Sequence, residues 1–157
     1  MIEIDQQVID CCRTYMRGVC GDSLDTLKSE RHEIIIDDCM AQMQLFIDQG
    51  RKFNFIFNDL TDIPLMNLNA KSDFKKCQLW TFITQVLNES LQCLCSNGIY
   101  MNHATGVNCD RALRQYENVL DELKIKVKYK RRQAWVPSFL ENWVFYQIQL
   151  NQAEIDN

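Results

Sequence analysis

An α/β fold, with a mostly parallel sheet finished by a C-terminal antiparallel hairpin, is what this 157-residue sequence predicts. Short runs rich in β-branched and aromatic residues alternate with segments whose apolar residues recur at helical spacing, which is the pattern of β–α–β units. The last third instead alternates apolar and polar residues with a period of two and has no helix between its runs, as an antiparallel pair does. The length suits one domain, residues 1–157, with a sizeable core, and the 46% hydrophobic and 24% charged content is ordinary for a globular protein.

Met1-Ile2-Glu3-Ile4 reads as a first strand, and Asp5 as the cap of a helix in which Val8, Ile9, Cys12, Tyr15 and Met16 fall near i, i+3, i+4 spacing. His32 to Ile36 is a second strand running into Asp37-Asp38-Cys39. Met40, Met43, Leu45, Phe46 and Ile47 give the next helix a broad apolar face before Gly50 stops it. Phe53-Asn54-Phe55-Ile56-Phe57 reads as a buried strand, and a polar loop runs on through Asn67–Ser72. A long helix is expected from about Phe74 to Leu94, ending near Asn97-Gly98, then a fourth strand at Ile99-Tyr100-Met101. Asp110 is placed to cap a helix holding Leu113, Tyr116, Val119 and Leu120, and Lys124–Trp135 with Asn142–Leu150 form the hairpin at the sheet edge.

Composition narrows the function. A formal net charge of −4 argues against nonspecific nucleic-acid binding and suits a cationic ligand where the acids converge. The run Lys124, Lys126, Lys128, Lys130, Arg131 and Arg132 alternates with Ile125, Val127 and Tyr129, so it reads as a solvated strand face. Trp80, Trp135 and Trp143 read as packing residues. The eight cysteines lie in apolar segments with no signal peptide ahead of them, and are expected to be reduced intracellular thiols. Cys11-Cys12 are adjacent, Cys93 and Cys95 have a single residue between them, and His32 and His103 form no HxxH or HxxxH pair, so no metal site is expected. No apolar run reaches the length of a membrane span, and a cytoplasmic protein is expected.

The acidic cluster Asn58-Asp59-Leu60-Thr61-Asp62-Ile63-Pro64 directly follows the Phe53–Phe57 strand, where open α/β sheets bind ligands, which puts Asp59 at the end of a strand where chemistry takes place. A turn-capping Asp before Pro64 satisfies the same grammar. Glu3 ends the first strand, where an acid can accept hydrogen bonds from ribose hydroxyls; a solvated acid near a helix start is the alternative. Asp37, Asp38 and Cys39 end the second strand, where a carboxylate can accept from an exocyclic amine and a small thiol can fit beside an adenine ring; helix capping by one aspartate fits equally.

With Pro137-Ser138-Phe139-Leu140-Glu141-Asn142-Trp143-Val144-Phe145-Tyr146 and Ile2-Glu3-Ile4-Asp5, these motifs resemble, in order, the C-terminal part of the spermine synthases, a family of aminopropyltransferases. The resemblance spans nearly the whole chain and implies a Rossmann-like, S-adenosylmethionine-dependent transferase fold. It implies that Glu3, supported by Asp5, holds the ribose of decarboxylated S-adenosylmethionine and that Asp38 and Cys39 contact its adenine. Asp59 becomes the base that frees the attacking amine, and Glu141 a second anion along the polyamine. Phe139 stands where the family carries a Tyr that contacts the polyamine. Asn58-Asp59-Leu60-Thr61 matches the spermine-synthase form of the motif, whereas spermidine synthases usually read Asp-Ser-Ser-Asp; spermidine is therefore the expected acceptor, spermine and 5′-methylthioadenosine the products, and no cofactor or metal is implied.

The five glycines, at 18, 21, 50, 98 and 106, supply no GxGxxG, and the order of elements matches that fold with its first strand and Gly-rich turn removed. A truncated chain is expected, with exposed edges in mid-sheet; the family's N-terminal domain implies a homodimer for the full-length form. Two other readings stay open: a methyltransferase-like protein, and a noncatalytic fragment or assembly partner of a full-length enzyme.

Overall fold

The computed structural model describes residues 1–64 and 78–151, which form an α/β structure. The expected loop through Asn67–Ser72 and the expected helix start at Phe74 lie outside the described residues. The chain divides into two compact units, Met1–Gln49 and Gly50–Asn157.

In the first unit, β1 (Ile2–Glu3) pairs in parallel with β2 (Ile35–Ile36), Glu3 lying opposite Ile36. Between them come α1 (Gln6–Tyr15), a short α2 (Arg17–Cys20), and an antiparallel bridge from Lys28 to Glu33. Asp5 caps α1 as expected, accepting the Gln7 N–H at 2.8 Å. The expected apolar face of α1 is not buried as a whole: Ile9 is, whereas Val8, Tyr15 and Met16 are exposed. A two-stranded sheet offers too little surface to cover a ten-residue helix. The second expected strand is likewise shorter than His32–Ile36, because the bridge occupies its first half. After β2, α3 (Cys39–Asp48) buries Met43 and Phe46 and stops at Gly50, whose φ of +64° is a left-handed conformation that glycine adopts without strain.

The second unit is a four-stranded mixed sheet in the order β3-β4-β6-β5. Here β3 (Phe53–Asn58) is parallel to β4 (Leu94–Gly106), while β6 (Glu141–Leu150) runs antiparallel to both β4 and β5 (Val127–Val136). The C-terminal hairpin therefore forms as the alternation predicts, but its second strand lies inside the sheet. With two parallel and two antiparallel pairings over the described strands, the sheets are mixed rather than mostly parallel.

One sheet face carries the core. Trp80, Ile83, Leu87 and Leu91 recur along α4 (Gln78–Gln92), and Leu113, Tyr116 and Leu120 along α5 (Asp110–Glu122). They pack with Tyr100 and Ala104 of β4 and Val144, Tyr146 and Ile148 of β6, which share one side because side chains alternate along a strand. The long helix ends at Gln92 rather than Leu94, and β4 starts at once; its irregular pairing between Leu94 and Ile99 holds Asn97-Gly98, the expected turn. The cap of α5 is Cys109, and Asp110 is the first helical residue.

The expectation that Phe53–Phe57 is wholly buried is corrected. Ile56 packs on the core, whereas Phe55 and Phe57, on the other face, are 58% and 74% exposed, because β3 is the last strand of its sheet and helices cover one face. Of the three tryptophans, Trp80 and Trp143 are packing residues as expected, while Trp135, on the edge strand β5 beside the hairpin turn, is exposed. Lys128, Lys130 and Arg132 are exposed on that strand, and Arg131 reaches Glu117 of α5. None of the seven described cysteines is disulfide-bonded, and no helix among the described residues is long and apolar enough to cross a membrane.

Leu113 is fully buried where α5 meets the sheet. Leu113→Ala is expected to lower the stability of the second unit by about 2–5 kcal/mol, read from denaturant unfolding.

Candidate active site

The ends of β1 and β2 gather the acids of the first unit. Parallel pairing sets Glu3 beside Ile36, and the Asp37 N–H donates to the Glu3 carbonyl at 3.0 Å, so Glu3 and the Asp37-Asp38-Cys39 run meet at the same end of adjacent strands. The Glu3 carboxylate accepts the Asp5 N–H at 2.9 Å; Asp5 supports Glu3 through its backbone, and its own carboxylate caps α1. Asp38 also caps a helix, with Oδ1 accepting the Met40 N–H at 2.9 Å, which realises the capping alternative and leaves its second oxygen for another donor. Asp37 and Asp38 are both exposed, and the Asp37 carboxylate accepts from the Gln42 side-chain amide and the Asp38 N–H, both at 2.8 Å. Those bonds, the Gln42 bond foremost, hold Asp37 below the usual carboxylate range. Cys39, half-buried, opens α3 at the positive end of its dipole.

In the second unit, Asn58 ends β3 and ties the turn that follows. Its amide donates to the Tyr100 hydroxyl, and its carbonyl oxygen accepts the Leu60 N–H at 3.1 Å. Ile63, 2% exposed, anchors the far side of the turn, its N–H donating to the Ala104 carbonyl at 2.9 Å. Asp59 lies between these anchors with its side chain 95% exposed. Burial pushes the Tyr100 phenol well up, so it stays a neutral hydrogen-bonding group behind the turn.

The sequence reading assigned no role to His103, yet the structure sets it at the centre of this end. Phe57 pairs with Met101, so two residues further along the parallel strands Asp59 and His103 come side by side. His103 Nε2 is 3.2 Å from Asp59 Oδ1, and Nδ1 is 3.3 Å from Asp62 Oδ1. The ring is 16% exposed and lies against Trp143, with centroids 5.7 Å apart. The two ring nitrogens face opposite ways, so the two carboxylates do not converge on one ion, and the described residues hold no group of three or more His, Cys, Asp or Glu suited to a metal.

Trp143 links this group to the two remaining candidates. Its indole N–H donates to Glu141 Oε1 at 3.1 Å, and the Phe139 ring packs on it at 4.3 Å. Glu141 lies over Gly106, where a Cβ would come within 2.7 Å of Oε2. The missing Cβ, not a left-handed backbone, is what glycine contributes there, since Gly106 is not among the residues with positive φ. Asp59, His103, Asp62, Trp143, Phe139 and Glu141 thus form one contiguous group, with carboxylates at both ends and aromatic rings between.

A family model described as the spermine/spermidine synthase domain matches residues 1–157, and the chain belongs to that family. It is 27% identical over 161 residues to the thermospermine synthase ACAULIS5 of Arabidopsis thaliana, covering 99% of this chain and 42% of that protein. It is also 27% identical over 143 residues to a polyamine aminopropyltransferase of Pyrobaculum arsenaticum, covering 88% of this chain and 44% of the other. The chain therefore spans less than half the length of these relatives. The spermidine synthase of Thermotoga maritima shares the fold at a TM-score of 0.60 and 15% identity, over 95% of this chain and 44% of that one. An O-methyltransferase of Bacillus cereus shares it at 0.56 and 11%, over 96% and 61%.

Gly106→Ala is expected to displace the Glu141 carboxylate at little cost in stability, because the group that must move is the end of a flexible side chain. The Trp143 indole N–H resonance should shift in the variant while that of Trp80 stays in place; an unmoved Trp143 signal would contradict the close approach.

Proposed function

We propose that this chain carries the catalytic part of an aminopropyltransferase that uses spermidine as acceptor and decarboxylated S-adenosylmethionine as donor, giving spermine and 5′-methylthioadenosine. The observation that carries this reading is the exposed Asp59 carboxylate at the end of β3, in one group with Glu141 and the aromatic rings of Trp143 and Phe139. A polyamine presents ammonium groups spaced along an apolar chain, and anions separated by aromatic surface are complementary to it.

The reaction requires the attacking nitrogen to be unprotonated, and Asp59 is the group to take its proton. The freed lone pair forms a bond to the methylene beside the sulfonium, and the carbon–sulfur bond breaks with its electrons passing to sulfur. The leaving group is then a neutral thioether, which asks for no further acid or metal. Glu3 is assigned to the ribose hydroxyls, Asp38 to the exocyclic amine of adenine and Cys39 to the edge of the ring; the meeting of Glu3 and Asp37-Asp38-Cys39 at one end of the paired strands supports that assignment. Phe139 supplies ring contact to the acceptor without a hydroxyl, and the full-length form is proposed to act as a homodimer.

The Arabidopsis relative's name favours a second outcome at the same site. Spermidine has two unlike primary amines, and transfer to one yields spermine, to the other thermospermine. The isomers have equal mass, so chromatographic separation of the products decides between them.

The test is incubation of the purified chain with both substrates. Spermine and 5′-methylthioadenosine are expected in equal amounts, and Asp59→Asn should slow their formation at least ~10²-fold. Near-normal turnover by that variant would remove Asp59 as the base. Methyl transfer from S-adenosylmethionine itself would favour the methyltransferase-like reading, and no product of either kind a noncatalytic partner of a longer enzyme.

A further inference from the structure

The imidazole of His103 has one carboxylate oxygen at each ring nitrogen, Asp59 at 3.2 Å and Asp62 at 3.3 Å. A neutral ring carries one N–H and so donates to one of them; at the other contact a nitrogen lone pair faces an oxygen lone pair. A single proton delivered to that contact completes both hydrogen bonds. From this geometry we propose that His103 is a positioning residue for Asp59 that also receives the proton Asp59 takes from the acceptor amine. This rests on the aminopropyl-transfer reading and deepens it at the same site.

The proton leaves the attacking ammonium for the Asp59 carboxylate and passes on to His103 Nε2. The ring's Nδ1–H, donating to Asp62, keeps the resulting positive charge beside an anion. The nitrogen, now with a free pair, bonds to the aminopropyl carbon as the carbon–sulfur pair departs to sulfur. Asp59 returns to its carboxylate form, and His103 releases the proton to solvent between turnovers. The ring suits this task because Trp143 packs on it and only 16% of it is exposed, whereas Asp59 is open to the acceptor. The charged groups around it are Asp59 and Asp62 from the turn after β3 and, beyond the Trp143 indole, Glu141 at the start of β6.

His103→Gln keeps a polar side chain of similar reach that cannot carry a proton onward. Its kcat is expected to fall about tenfold or more, with KM for spermidine within about twofold and the shape of the pH–rate profile changed. A variant with normal kcat and an unchanged pH profile would overturn the proposal. A second readout needs no turnover. With His32→Gln leaving His103 as the sole histidine, its ring resonances should move on adding spermidine, and Asp59→Asn should abolish that movement. Signals that spermidine leaves in place, or moves equally with Asp59→Asn, would overturn the link. Absence of any aminopropylated product from the wild-type chain would instead overturn the enzymatic reading, while the ring resonances still decide whether His103 senses what Asp59 binds.

Discussion

The parallel register of β3 on β4 is the constraint on which the group around Asp59 and His103 depends. Side chains on neighbouring strands meet only when the pairing brings equal positions level, and here Phe57 opposite Met101 carries forward to Asp59 opposite His103. A slip of one residue would turn Asp59 toward the core face and leave His103 without its carboxylates. That register is held from the buried side by Ile56 against Tyr100 and by Ile63 bonded to Ala104. The core on one face of the sheet thereby fixes the placement of Asp59 and His103 on the other.

The antiparallel pairing of β6 on β4 does the same for the second half of this group. It sets Trp143 level with Gly106, so one indole can rest against His103 and also hold Glu141. A side chain at position 106 would occupy the space of the Glu141 carboxylate. In the first unit the corresponding device is β1 on β2, a pairing of two residues in each strand, which brings Glu3 to Asp37-Asp38-Cys39. Few side chains are buried behind that pair, and hydrogen bonds to helix starts position its carboxylates more than packing does.

Much of this was legible in the residues. The helical spacing of Leu113, Tyr116 and Leu120, the two-residue alternation of the hairpin, and the acids following Glu3, Ile36 and Phe57 each report a local preference that the fold keeps. Burial along β3 was not legible, since Phe55 and Phe57 have the same composition signal whether a second layer covers them or not. His103 was missed for a related reason. It follows just after the expected strand Ile99-Tyr100-Met101, and a lone histidine acquires meaning only once the pairing of two strands distant in sequence is known. Extending the parallel pairing past Phe57 and Met101 is the one operation that would have found it.

Calorimetric titration of spermidine into the purified chain tests most directly whether the grouped carboxylates form a polyamine site. Saturable binding is expected, and it should weaken sharply when Asp59→Asn and Glu141→Gln are combined. Equal affinity in the wild type and the double variant would contradict the assignment of this end of the sheet to a polyamine.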